Sequence, residues 1–532
     1  MSSVIEQGLA TLDRNRTVER IWKADHTVWK PDPAGLVDRL GWLTIDARMA
    51  KEAASLERFG EQARAGGLRH VVLLGMGGSS LGAEVIGQVF GPARNARPEL
   101  LVLDSTVPAA IAAVRQAIDP GKTIFLVSSK SGGTIDTKFL YSYFRSETEA
   151  AIGNADAGKR FVAITDSGTS LERLASEAGF RRAFGNDPSI GGRYSVLSYF
   201  GLVPAALLGI DLTRLLGRAQ ACRESCAAGI PLRDNPGASL GAAIGAWAAA
   251  GRNKLSLITS PRLASMGTWI EQLVAESTGK EGRGVIPVAG EPIGPPAWYS
   301  DDRLFVYMRL AGDGVPADEA KVTALEKAGH PVLRTELRDA FDLGAEFYRW
   351  EYAIAVAGSM LKINPFDQPD VQSAKDQTDR VLGAYARAGV LPARPASLTP
   401  AALVQLAKPG GYLAITAFMR QTAETDRLIA VLRRRIMERH RIATTLGYGP
   451  RFLHSTGQLH KGGPAGGLFL QLTAKHNEDL PIPGMNYTFG TFADAQSLGD
   501  HQALVAGKRQ VAWFDLGGSP AKKLEELAST IA

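Results

Sequence analysis

The stretch Phe125-Leu-Val-Ser-Ser-Lys-Ser-Gly-Gly-Thr134 decides the fold class. Residues Thr123 to Val127, apolar after the first, read as a buried strand. The run stops at hydroxyls and glycines, and helical spacing resumes from Ile135 to Phe144. Ser129, Ser131 and Thr134 therefore stand on a strand-to-helix turn. Glycines let the backbone close around a ligand, and unpaired N–H groups at a helix N-terminus attract anions. Hydroxyls add donors without adding charge. The combination points to phosphate, carried as a monoester on a small metabolite.

A second turn of this kind comes earlier, in Val71-Val-Leu-Leu-Gly-Met-Gly-Gly-Ser-Ser80, with a helix from Leu81 to Phe90 behind it. Gly75-Met-Gly77 could also open a dinucleotide site, with Asp104 at the end of the next strand as the ribose acid. Ser80 stands where that motif has its third glycine, and Asp104 lies farther along than the usual spacing. Two hydroxyl-rich turns at the carboxyl ends of strands in one sheet suit a compact phosphate better than a long dinucleotide.

Around these turns the chain alternates. Val71–Leu74, Leu100–Leu103, Thr123–Val127 and Phe161–Thr165 read as strands with helices between them. That pattern predicts a parallel sheet covered on both faces. Helices Leu197–Leu208, Leu212–Ala227 and Ala238–Ala250 lead to a second alternating set, with strands Leu255–Ile258, Leu304–Met308 and Val332–Thr335. A Pro/Ala-rich connector, Leu391 to Pro400, opens a third segment with strands near Tyr412–Ala417, Ile442–Thr445, Leu468–Leu472 and Val511–Phe514. The expected fold class is α/β: two tandem doubly wound parallel-sheet domains, an N-terminal helical segment and a C-terminal α/β extension. The boundaries read as 1–60 (helical, including a helix from Pro33 to Arg48), 61–230, 231–395 and 396–532. The site is expected between the two units.

The second unit carries a different chemistry in Glu271-Gln-Leu-Val-Ala-Glu-Ser-Thr-Gly-Lys280. Gln272 and Glu276 are four apart and share a helix face, and Gly279 reads as a helix stop. Glu276 then sits in a last turn, where the macrodipole disfavours negative charge and would raise its pKa. A general base for a carbon acid needs that shift.

Composition narrows the function classes. The chain has 532 residues, a formal charge of +6 and 45% hydrophobic residues, enough for two or three domains and no polyanion binder. The densest basic run, Arg433 to Arg441, has helical spacing and reads as a solvated helix face rather than a nucleic-acid patch. The two cysteines, Cys222 and Cys226, have helical spacing, not that of a zinc knuckle, and read as reduced structural residues. No signal peptide or membrane-spanning run is read, no metal site has ligand spacing, and the expected setting is cytoplasmic.

Five motifs occur in order: Gly-Gly-Ser at 77–79, Ser-Lys-Ser-Gly-Gly-Thr at 129–134, Gly-Gly-Arg-Tyr-Ser at 191–195, Glu-Ser-Thr-Gly-Lys at 276–280, and Asn-Pro-Phe-Asp-Gln-Pro-Asp-Val-Gln-Ser-Ala-Lys at 364–375. On these the chain resembles glucose-6-phosphate isomerases, which are built from two sugar-isomerase (SIS) domains. The motifs cover about residues 70 to 380. Beyond them the chain is similar to the isomerase portion of fused transaldolase–glucose-6-phosphate isomerases, and no eight-fold βα pattern of a transaldolase barrel is present.

The resemblance implies aldose–ketose isomerisation of glucose 6-phosphate and fructose 6-phosphate through a cis-enediol, in glycolysis and gluconeogenesis. It implies no cofactor and a homodimer. Gly78 and Ser79 match substrate contacts, and Ser129, Ser131 and Thr134 match the phosphate cradle. Arg193 matches the arginine that steadies the enediolate, Gln272 a substrate contact, and Glu276 the base between C2 and C1. Lys375 matches a lysine near the sugar ring, although Asp370 stands where the family usually has glycine. The ring-opening histidine matches His454 in His-Ser-Thr-Gly-Gln458, but here it follows Lys375 in the chain, and His460 competes for the role. Two other readings stay open: a non-catalytic SIS sugar-phosphate-binding regulator, which would have lost Glu276, and an isomerase that also takes mannose 6-phosphate.

Overall fold

The computed structural model describes residues 3–91 and 98–531. Its first sheet holds β1 (His70–Gly75), β2 (Glu99–Leu103), β3 (Thr123–Ser128), β4 (Phe161–Asp166) and β5 (Arg182–Asn186), in the order β2-β1-β3-β4-β5. The second holds β6 (Lys254–Thr259), β7 (Ile286–Ala289), β8 (Arg303–Leu310) and β9 (Val332–Leu337), in the order β7-β6-β8-β9. The third holds β10 (Tyr412–Phe418), β11 (Ala443–Tyr448), β12 (Gly467–Thr473) and β13 (Gln510–Asp515), in the order β11-β10-β12-β13. All pairings within these sheets are parallel. The C-terminal segment thus repeats the second unit's strand order.

Alternate strand residues feed different cores. In the first sheet Val71, Leu73, Ile124 and Leu126 face a large core shared with the N-terminal helices and the second unit. Val72, Leu74, Phe125 and Val127 face another core. Burial on both faces is why these strands read as continuous apolar runs rather than alternating ones. The order reverses between β1 and β3, so the turns that follow them flank a topological switch point, where ligands bind in such sheets.

The third segment docks on both other units. Phe489 and Phe492 enter the first unit's outer core, each buried side chain contributing on the order of 1.5–3 kcal/mol. Tyr412, Ala414 and Phe469 pack with Ala275, Ile286 and Val288 of the second.

Three sequence readings are corrected. The segment Pro33–Arg48 is not one helix: Gly35 takes a left-handed φ of 64°, short 3₁₀ turns follow, and the helix begins at Ile45. Strands β5 and β7 were not legible, since β5 is an exposed edge and β7 is four residues long with Pro287 inside it, tolerated at an edge. The basic run is not a solvated face throughout. Arg433 is buried and donates to Gly290 O, Ala289 O and Thr444 O at 2.8, 3.0 and 2.7 Å, tying the third unit to the second. Cys222 and Cys226 are free and buried. Among the described residues no helix is long and apolar enough to cross a membrane.

Candidate active site

The site is assembled from all three units. The β1 turn is a 3₁₀ turn over Gly77–Ser79. A side chain on Gly77 would stand 2.2 Å from the carbonyl oxygen of His454, and one on Gly78 would stand 2.2 Å from that of Gly192. The glycines therefore admit two chain segments, one carrying His454 and the other Arg193. Ser79 is buried, and its carbonyl accepts a 2.8 Å bond from Ser128 Oγ at the end of β3.

The β3 turn leads into the helix Ile135–Ile152. Ser129 Oγ lies 3.0 Å from Thr134 Oγ1, and Ser131 Oγ, on the exposed tip, accepts the Gly133 N–H at 3.2 Å. Ser131 and Thr134 open onto a cavity of about 330 Å³ that is also lined by Asp136, Lys375, His454 and Gln496. Lys375 is exposed on the helix Gln372–Ala388, with no hydrogen-bond or ion-pair partner among the described residues.

Glu276 sits in the last turn of the helix Ala264–Thr278, nearly buried. Its pKa is raised, and burial is the cause; Arg193 and the Gln272 amide oppose the shift. The macrodipole expected from the sequence is not needed to explain it. Gly279 does not end the helix by a left-handed turn, for its φ is −80°. It is required because a side chain there would stand 2.6 Å from Leu459 Cα of the third unit.

Arg193 is buried with all its donors engaged. Nη1 reaches Glu276 Oε2 at 3.2 Å and Gln368 Oε1 at 2.9 Å. Nε donates to Ser277 Oγ at 2.8 Å, and Nη2 donates to Pro365 O and Asp367 O at 2.7 and 2.9 Å. These five contacts hold the guanidinium still. Lys280 fastens the same 364–367 loop, donating to Asn364 O at 2.8 Å and to Asp367 Oδ1 at 2.6 Å. Burial, with the Arg193 charge, pushes its pKa down to about 8.

His454 ends a 3₁₀ turn that follows β11, and its backbone carbonyl accepts Gln272 Nε2 at 2.9 Å. Its Nε2 stands 3.4 Å from Asp136 Oδ2. Burial would raise the Asp136 carboxyl, but the His454 contact and the Gln496 amide outweigh it and hold the pKa below its ordinary value. Gln496 donates to Asp136 Oδ1 at 2.6 Å and accepts from Thr106 Oγ1 at 2.7 Å. His460 is elsewhere. It is buried between Phe452 and Phe469, with ring centroids 5.7 and 5.2 Å away, and burial pushes its pKa well below the usual value. The structure therefore brings His454, and not His460, to the cleft.

Sequence reasoning missed Asp136, Gln496 and Lys280. An acid in a helix's first turn reads as an ordinary dipole complement. Gln496 lies 360 residues from its partner, so no local signal links them. Two departures from pattern also resolve. Asp370 is the partner of Gln458, whose Oε1 accepts the Asp370 N–H at 2.8 Å and whose Nε2 donates to Gly279 O at 3.0 Å. Asp104 is buried, and its Oδ2 lies 3.1 Å from Ser80 Oγ and 2.8 Å from Arg451 Nε, so the dinucleotide reading lacks an exposed ribose acid there.

Residues 45–285, which carry Gly78, the hydroxyl turn, Arg193 and Glu276, match the model of the family described as phosphoglucose isomerase. Over these residues the chain is similar to phosphoglucose isomerases. A glucose-6-phosphate isomerase of Parabacteroides distasonis is 28% identical over 423 residues, covering 70% of this chain and 93% of the relative. One of Rubrobacter xylanophilus is 28% identical over 403 residues, covering 66% of this chain and 90% of the relative. Among solved structures, a hypothetical protein from Thermus thermophilus aligns with a TM-score of 0.62 at 24% identity, over 71% of this chain and 97% of its own. A glucose-6-phosphate isomerase from Chlamydia trachomatis aligns at 0.60 and 18%, over 72% of this chain and 86% of its own. At these identities the structural likeness is one of fold.

Proposed function

We propose that this chain is a glucose-6-phosphate isomerase that interconverts glucose 6-phosphate and fructose 6-phosphate, serving glycolysis and gluconeogenesis. The observation that carries the reading is the convergence of Glu276, Arg193 and Gln272 with the His454 turn and the hydroxyl turn of β3. The names of the relatives support it. In this reading Ser129, Ser131 and Thr134 hold the phosphate, which spends remote binding energy on orientation. Gly78 and Ser79 shape the first turn against the substrate, and Lys375 meets the ring oxygens from the cleft's open side. His454, backed by Asp136, opens the ring by proton transfer.

Glu276 then takes the C2 proton, a cis-enediol forms, and the same carboxyl returns a proton to C1. Its buried carboxyl is a stronger base than a solvated one, because burial disfavours the charged form that accepts the proton. Arg193 stabilises the developing oxyanion, with Nη1 turning from Gln368 to the substrate. The chemistry needs no redox step. The family resemblance adds a cytoplasmic setting and a homodimer to the proposal. The regulator reading is disfavoured because Glu276 is retained and buried beside Arg193.

The test is a coupled assay with fructose 6-phosphate in and glucose 6-phosphate out, with EDTA present and mannose 6-phosphate run in parallel. Turnover of the fructose ester supports the reading, and its absence from folded protein overturns it.

A further inference from the structure

The helix Ala264–Thr278 has a second polar face that the isomerase chemistry does not use. Each unit sends a helix forward from its first strand: Leu81–Phe90 after β1, Ala264–Thr278 after β6 and Ala423–His440 after β10. These three equivalent helices meet at a cavity of about 360 Å³, separate from the cleft of His454 and Lys375. Glu271 and Ser265 line it from the middle helix. Both residues are only 6% exposed. Ser265 Oγ has no hydrogen-bond partner. Among the described residues Glu271 has neither a hydrogen bond nor an ion pair.

The other charged groups around the cavity are matched. Arg451 is ion-paired with Glu84 and Asp104. Arg433 spends its donors on Thr444 Oγ1 and on the carbonyls of Ala289, Gly290 and Thr444. Asp426 accepts from Tyr448 Oη at 2.5 Å and from Gln421 Nε2 at 2.9 Å. Arg451 Nε makes no hydrogen bond, but it lies 2.8 Å from Asp104 Oδ2, so its charge is already matched. Among the described residues the Glu271 carboxyl and the Ser265 hydroxyl are left without a partner, in a wall whose facing charges (Glu84, Glu271 and Asp426 against Arg433 and Arg451) sum to one negative when Glu271 is ionised. A buried carboxylate without a partner costs several kcal/mol, and a cation seated against it removes that cost.

We propose that this cavity is a second ligand site that takes a small organic ammonium compound, with Glu271 as counter-ion and Ser265 as hydrogen-bond acceptor. Empty, the site keeps Glu271 protonated, since burial pushes its pKa up to about 8. Occupied, the site ionises it, so binding at neutral pH releases up to one proton per chain. The ligand would touch the helix that carries Gln272 and Glu276, and the 3₁₀ turn Arg451–His454.

The test is calorimetric titration of the full chain with ethanolamine, and with ethylene glycol as its ammonium-free counterpart. Each is run in two buffers that contain no primary amine and differ in ionisation enthalpy. Expected are saturable binding of ethanolamine with buffer-dependent heat and no saturation by the glycol. E271Q should weaken ethanolamine binding roughly ten- to hundred-fold and abolish the buffer dependence, as loss of a charged hydrogen bond implies. S265A, which deletes an unpartnered hydroxyl and should fold, is expected to weaken binding about 2–10-fold. The proposal is overturned by no saturable heat from ethanolamine, by equal binding of the glycol, by buffer-independent heat, or by wild-type affinity in folded E271Q or S265A. Should E271Q not fold, S265A decides.

Discussion

Replacing Glu276 by glutamine separates binding from chemistry. The amide keeps the side chain's shape, and its oxygen can still accept Arg193 Nη1 at the 3.2 Å now spanned to Oε2. It cannot accept a proton. A positioned base contributes about 10²–10⁴-fold, which at about 1.36 kcal/mol per factor of ten is roughly 2.7–5.4 kcal/mol of barrier. The proposed phosphate contacts lie on the first unit, so substrate affinity should change little. The fold should not weaken from the loss of the buried carboxyl itself, because burial works against its ionised form. The readouts are turnover in the coupled assay, tritium uptake from solvent at C2, and equilibrium binding of the sugar phosphate. Turnover and exchange should fall together while binding persists. A pH profile adds a sign. The base must be ionised, so kcat/KM is lost as pH falls, and burial moves that limb above the ordinary carboxylate value of 4.5. Arg193→Met removes an opposing charge and should move the limb higher still. A glutamine variant with wild-type C2 exchange would refute the role given to Glu276.

Three further outcomes are expected. Ser131→Asp places a carboxylate on the hydroxyl turn and should nearly abolish sugar-phosphate binding, whereas Ser131→Ala should cost on the order of 1–3 kcal/mol, mainly in KM; normal binding by the aspartate variant means the phosphate sits elsewhere. His454→Ala should slow turnover of cyclic glucose 6-phosphate far more than that of an open-chain sugar phosphate. His460→Phe, in a pocket between two phenylalanines, should spare that ratio, and a ring-selective defect in the His460 variant would reverse the two roles. Glu351 is fully buried with both carboxyl oxygens unpartnered, and burial raises its pKa well above 4.5. Its neutral form fits the fold, so its favourable contribution is complete at acid pH and is lost as pH rises through the raised folded-state pKa. Glu351→Gln should therefore flatten the alkaline fall in melting temperature, and an unchanged slope counts against the reasoning.

The parallel α/β class, the two glycine-hydroxyl turns and the Glu276 helix were legible in the sequence because each depends on local spacing. Apolar runs of strand length ending at glycine, and residues four apart on a helix, have consequences within a dozen residues. Partners at long range left no such mark. His454 belongs to the cleft, and His460 to the core, because the turn after β11 docks on Gly77 while the next helix turns His460 between two aromatic rings. The two histidines are six residues apart, and the His-Ser-Thr-Gly-Gln match at His454 left His460 in contention. The third unit's partnership with the other two depends on Gln496 meeting Asp136, Gln458 meeting Asp370, and Arg433 meeting the Ala289 and Gly290 carbonyls. Those contacts form only after the three sheets have packed. Burial, the source of the raised Glu276 pKa, likewise depends on what surrounds a residue in space and not on its neighbours in the chain.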